Sequence, residues 1–149
     1  MVKNKAESAV ASRAELEELS ARLAGAEKAL KTLRGDFDQV LNHDSHGIRI
    51  INRDHTLRLI NQVFATMSGV NPGDAIGKRC YDVFPSPLCH TPDCRLKRIM
   101  NGDSVFQAEI ERVKPGGLRV PCVVNAAPFR NEKGELAGVI ETFTDITEH

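Results

Sequence analysis

The chain has 149 residues, 41% of them hydrophobic, with 20 Lys+Arg against 20 Asp+Glu, no Trp and a single Tyr. That length suits one ordinary domain plus an extension and is too short for two full domains. Balanced charge and scarce aromatics argue against a nucleic acid as partner. No apolar run is long enough to span a bilayer or form a secretory signal, so no membrane contact by this segment and a cytoplasmic location are expected.

The first forty residues lack proline, and Leu16, Leu19, Leu23, Ala26, Leu30, Leu33, Phe37 and Val40 recur in alternating steps of three and four. This a/d seam of about three and a half heptads predicts a two-stranded coiled coil, with Arg22 at g and Glu27 at the following e position attracting across a parallel homodimer. The other reading is one amphipathic helix lying on a globular domain, for which the stripe is narrow. Helical from Leu16 to Leu41, it would be a rod of about 39 Å. The expected organisation is a dimerisation helix over residues 1–43 and a second domain over residues 44–149.

After "NHDSHG" the apolar period drops from 3.6 to 2, and "IRIINRDHTLRLIN" predicts strands Ile48–Asn52 and Leu57–Ile60 around an Arg-Asp-His-Thr turn. "QVFATMSG" is helical and stops at Gly69. "NPGDAIG" carries an Asn cap with Pro72 in the first turn, and "KRCYDVF" is a further brief helix. "RLKRIMNG" is a helix ending near Asn101-Gly102. "SVFQAEIERVK", "LRVPCVVNAAPFR" and "ELAGVIETFTDI" are strands, separated by Pro115-Gly116-Gly117 and Asn131–Gly134 turns. Two strands, several short helices and three strands make an α+β fold with an antiparallel sheet.

The words "NRDHTLRLINQVFATMSGVNPGDAIGKRCYDVF" and "APFRNEKGELAGVIETFTDITEH" resemble a PAS domain over about residues 44–149. Gly77-Lys78 before a short helix, the hairpin from Pro128 and the terminal "DIT-E" at Asp145–Glu148 carry the resemblance. It implies a five-stranded antiparallel sheet with short helices on one face, enclosing a pocket for a cofactor or small ligand. It also implies a sensory module that signals through flanking helices to a kinase, cyclase or transcriptional output outside this segment.

"CYDVFPSPLCHTPDC" places Cys80, Cys89 and Cys94, with His90, on a proline-broken stretch; Cys122 lies far along on a strand. No C-x2-C of a zinc ribbon or finger and no C-x-x-C-H of c-type haem is present. Cys89 and Cys94 form a C-x4-C hook of a spacing found among iron–sulfur ligands. Strand parity puts Val120, Cys122, Val124 and Ala126 on one apolar, inward face. The resemblance places Cys80 where light-sensing flavin PAS domains carry their reactive cysteine, but "CYDVF" replaces the expected "CRFLQ" and the polar flavin-binding set is missing. Cys80 is therefore expected to face the cavity without flavin photochemistry.

Four converging thiolates would suit a [4Fe–4S] or [2Fe–2S] cluster or a zinc ion, with His90 as an optional ligand, and a redox- or oxygen-sensing role. The alternatives are a thiol switch among Cys80, Cys89 and Cys94, or cysteines that only pack beside an unrelated ligand. His43, His46 and His55 are expected to be solvated. Non-covalent haem has only His90 to offer. No nucleophile elbow, zincin motif or phosphate loop appears, so no enzymatic activity is expected.

Overall fold

A continuous helix, α1 (Val2–His43), opens the chain. The computed structural model describes residues 2–148, with side chains from Ser12 onward. The chain divides into two compact units between Val40 and Leu41. Runs of Ala, Leu, Glu, Lys and Arg without proline favour the helical state, and heptad spacing gathers the large apolar residues on one stripe. Leu16, Leu19, Leu23, Leu30, Leu33, Phe37 and Val40 are 47–70% exposed, so their unit leaves this stripe uncovered.

In the second unit, strands β1 (Gly47–Asn52) and β2 (Leu57–Ile60) come first. The helical pieces α2 (Gln62–Ser68), α3 (Pro72–Ala75), α4 (Cys80–Val83) and α5 (Arg95–Met100) follow. Strands β3 (Phe106–Val113), β4 (Arg119–Arg130) and β5 (Leu136–Asp145) finish the unit. Among the described residues these strands make one five-stranded antiparallel sheet in the order β2–β1–β5–β4–β3. The expected α+β architecture and its helices are observed.

The punctuation predicted from the sequence does its work through hydrogen bonds. The Asn61 carboxamide caps α2 by accepting from the Phe64 amide, and left-handed Gly69 (φ 75°) ends that helix. Asn71 caps α3 in the same way, with Pro72 at its start. Gly138, where β5 passes β1, has no room for a side chain: a Cβ there would collide with the Ile51 carbonyl.

One face of the sheet packs on the helices. Val120, Cys122, Val124 and Ala126 all point inward and are buried, as their parity predicts. Phe64, Phe84 and Phe143 form the centre, with ring centroids 5.4–6.0 Å apart and Phe64 edge-on to Phe84. Such aromatic pairs add about 0.5–1.5 kcal/mol beyond the area they bury.

Candidate functional site

A small chamber of about 20 Å³ lies between the inward sheet face and the cysteine-rich segment. Arg49 and Ile51 of β1, Arg112 of β3 and Glu141 of β5 supply its floor. Cys80, Ser86, Leu88, Cys89, Cys94, Arg95 and Leu96 supply its walls. Its volume admits about one water molecule.

The charged floor follows from register. Arg49 sits directly opposite Glu141 in the β1–β5 ladder, and both point inward. Arg49 Nη2 donates to Glu141 Oε2 at 3.1 Å, and Arg112 Nη2 lies 3.7 Å from the same oxygen. Arg112 Nη1 also donates to the Phe84 carbonyl at 2.8 Å. The guanidiniums lie over aromatic faces: Arg49 over Phe143 at 5.0 Å, Arg112 over Phe143 at 5.2 Å and Arg95 over Phe106 at 5.1 Å. Arg49, Arg95, Arg112 and Glu141 are only 2–3% exposed.

Burial alone would raise the Glu141 carboxyl, but Arg49, Arg112 and Arg95 outweigh it and hold the group below its ordinary value. Burial pulls Arg112 down to about 10, with Arg49 adding repulsion that Glu141 opposes. Burial lowers Arg95 as well. Three guanidiniums therefore confront one carboxylate where water is nearly excluded, a costly arrangement unless matched.

Three of the four thiols expected to converge line this chamber: Cys80, Cys89 and Cys94. The Cys80 Sγ is 3.8 Å from His55 Nδ1, and burial pushes its thiol up to about 11. The Cys89 Sγ accepts from the Ser86 amide at 3.3 Å. Cys94 precedes α5, its amide held by the Thr91 carbonyl at 3.1 Å. Cys122 is inward-facing but does not line the chamber; its Sγ lies 4.0 Å from Met67 Sδ and 3.6 Å from the Val120 carbonyl oxygen. Burial raises that thiol to about 11 too.

As placed, the four sulfurs do not make one ligand set. Among the described residues, no three His, Cys, Asp or Glu side chains are grouped to hold a metal ion. His90 lies outside the chamber wall, in the left-handed region (φ 64°), its ring 4.5 Å from that of Tyr81. His55 differs from its expected solvated state: it is half-buried beside Cys80, and burial, with Lys97 and Arg79 nearby, lowers its ring. Sequence reasoning also missed Arg49, Arg95, Arg112 and Glu141. The available signal was parity: Arg49 shares its strand face with Ile51, and Glu141 shares its face with Val139 and Phe143.

One more buried side chain joins β1, at the residue before Arg49, to the last turn of α1. Asn61 Oδ1 accepts from the Ile48 amide and the Phe64 amide, both at 2.9 Å. Its Nδ2 donates to the Leu41 carbonyl at 2.8 Å and the His46 carbonyl at 2.9 Å. All four bonding opportunities of the carboxamide are used.

Among known proteins, solved structures with this fold are numerous. The PAS domain of an HTR-like protein from Haloarcula marismortui superposes with a TM-score of 0.66 at 18% identity, covering 81% of this chain and 98% of that one. Vibrio cholerae VqmA superposes with a TM-score of 0.64 at 15% identity, covering 76% of this chain and 52% of that one. The PAS domain of a LuxR-family transcriptional regulator from Burkholderia thailandensis, solved with ethanol, gives 0.55 at 16% identity, covering 73% and 96%. Among curated proteins, none matches the sequence. No described helix is long and apolar enough to cross a membrane. The sequence profile of the PAS fold matches residues 41–149, and the chain belongs to the PAS family of sensory modules.

Proposed function

We propose that this chain senses a chemical change at the thiol- and arginine-walled chamber and passes it through α1 to an output kinase, cyclase or transcriptional domain. The chamber carries this reading: a small space on the inward face of a PAS sheet, walled by charge that the fold leaves unmatched. Asn61 supplies a route, since it holds the Ile48 amide next to Arg49 and also the Leu41 carbonyl at the end of α1. A few kcal/mol of differential binding at the wall is enough to shift a two-state helix arrangement. Related folds lend support, since VqmA has been solved bound to DPO and the Burkholderia domain with ethanol.

The proposed partner for the exposed stripe of α1 is a second copy of the chain. Heptad spacing supports this occupant, as does the Arg22–Glu27 charge pattern. VqmA is likewise described as a dimer. Light scattering is expected to give twice the chain mass of 16.4 kDa. Leu23→Asp combined with Leu30→Asp is expected to give a monomer whose PAS unit melts unchanged. Disulfide cross-linking of Leu16→Cys copies is expected to change rate when Glu141→Gln alters the chamber wall; an unchanged rate would sink the signalling route.

A second reading, favoured by three thiols on one wall, is an iron–sulfur cluster or zinc held by Cys80, Cys89 and Cys94, giving redox or oxygen sensing. A thiolate-ligated cluster is anionic, which suits the surplus positive charge beside it. Cys122 stands outside that set, and the loop would have to open and close again around the group. Protein purified without oxygen is then expected to be coloured, with iron and sulfide in whole-number ratio. A colourless, iron- and zinc-free protein whose thiols all titrate excludes this reading.

A further inference from the structure

The chamber wall is short of negative charge and short of hydrogen-bond acceptors at the same place. Arg49, Arg95 and Arg112 face a single buried carboxylate, Glu141, a surplus of two positive charges. Five guanidinium nitrogens are buried without a partner: Arg49 Nε and Nη1, Arg95 Nε and Nη2, and Arg112 Nε. Arg95 makes no hydrogen bond or ion pair among the described side chains and rests on the Phe106 ring. Buried donors left unpaired are rare in folded proteins, and each costs about 1–3 kcal/mol.

The chain's own groups do not fill this gap. Cys80 keeps its proton, since burial raises its thiol to about 11. A single water fits the volume but brings no charge and accepts at most two hydrogen bonds. An anion supplies both missing properties. Guanidinium forks match planar oxyanions two bonds at a time, better than they match a spherical ion. The chamber as it stands holds about one water, so binding a planar oxyanion requires the half-buried wall carrying Ser86, Leu88, Cys89 and Cys94 to give way.

We propose that the chamber binds a small planar oxyanion of the carboxylate or nitrate class, held by Arg49, Arg95 and Arg112. This rests on the chamber being the sensing site and names the class of its ligand. Glu141 offsets one of the three guanidinium charges, a single oxyanion would offset a second, and the Arg49–Glu141 bond leaves Arg49 Nε and Nη1 without a partner.

Thermal melting of the full chain in sodium formate, acetate or nitrate, against sodium chloride at equal ionic strength, tests the proposal. At least one planar oxyanion is expected to raise the melting temperature saturably by several degrees, with chloride giving no saturable rise. Arg95→Met is expected to weaken that response at least tenfold and to melt at or above the parent temperature without anion, because an uncompensated buried charge has been removed. Arg95→Lys, which keeps the charge but not the fork, is expected to weaken it as well. No saturable rise with any oxyanion overturns the proposal, as does an Arg95→Met protein that melts well below the parent. A rise with ethanol or zinc alone overturns the anion and leaves the chamber as sensing site. No response to any of these, with Cys89 and Cys94 equally reactive throughout, removes the chamber reading too. Stoichiometric iron and sulfide in protein purified without oxygen assigns the positive surplus to a cluster and overturns the anion.

Discussion

The two halves of the inward sheet face are built on opposite terms. Around Cys122 the face is mainly apolar: its Sγ meets Met67 Sδ, and Val120, Val124 and Ala126 are buried along the same strand, with Arg112 opposite Val120 and Glu141 opposite Ala126 at the margins. Around Glu141, a few residues along the same sheet, the face carries three arginines and one carboxylate with five nitrogens unpaired. The first half is what a core needs: burial of apolar surface, at about 25 cal/mol per Å², with nothing left to satisfy. The second adds little of that kind, since replacing such groups by well-packed apolar ones is often neutral or stabilising. Cysteines occur in both halves and inherit the character of each. Cys122 is a small hydrophobe, whereas Cys80, Cys89 and Cys94 border a charged space.

The contrast is most directly broken at Glu141. Glu141→Leu removes the sole counter-charge of three buried guanidiniums and is expected to cost about 3–5 kcal/mol in urea denaturation. A stability equal to the parent's would mean that the arginines are solvated and the two halves are alike. The acid limb sharpens this. Because the folded Glu141 carboxyl sits below its ordinary value of 4.5, its contribution is fully present above that pH and is lost as pH falls through the lower folded value. Glu141→Gln is expected to flatten that limb.

Thiol reactivity gives the next largest contrast. Cys80 and Cys122, raised from 9.0 to about 11, hold about a hundredfold less thiolate at neutral pH than an ordinary thiol. Titration with an aromatic disulfide reagent is expected to show two fast thiols, Cys89 and Cys94, and two slow ones. Four equally fast thiols would erase the difference in burial. Substitution separates them again. Cys122→Ser places a hydroxyl in a buried site where the Val120 carbonyl is its nearest acceptor, 3.6 Å from the present sulfur, and is expected to cost about 1–3 kcal/mol. Cys94→Ser, half-exposed, is expected to stay within about 0.5 kcal/mol of the parent. The smallest effect belongs to His55, whose ring is depressed below 6.5 by burial. Its neutral form is the one the fold favours, so stability is expected to slope downward as pH falls below 6.5, and His55→Gln is expected to remove that slope.

Much of this architecture is written locally. Period-2 apolar runs mark the strands, and Asn61, Gly69, Asn71 and Pro72 mark helix ends through the bonds they make. The inward face of β4 was legible because its four residues are all apolar or sulfur, and the gathering of Cys80, Cys89 and Cys94 followed from their sharing one proline-broken segment. Where Cys122 would find its neighbours was not legible, since parity gives a face and not a position along the sheet. The charged floor was hidden for a different reason. A lone Arg or Glu in a strand is ordinarily a solvated residue, which outweighed the parity signal, and the pairing of Arg49 with Glu141, 92 residues apart, shows how both are held inside.

The Asn61 carboxamide works like a pinned joint in a lever. It grips the β1 backbone beside Arg49 with one end and the closing turn of α1 with the other. No donor or acceptor of the carboxamide is left over, since all four are engaged with Ile48, Phe64, Leu41 and His46. On the proposed route, Asn61→Ala is expected to leave the chamber's ligand response in place while the cross-linking rate of Leu16→Cys copies no longer follows it.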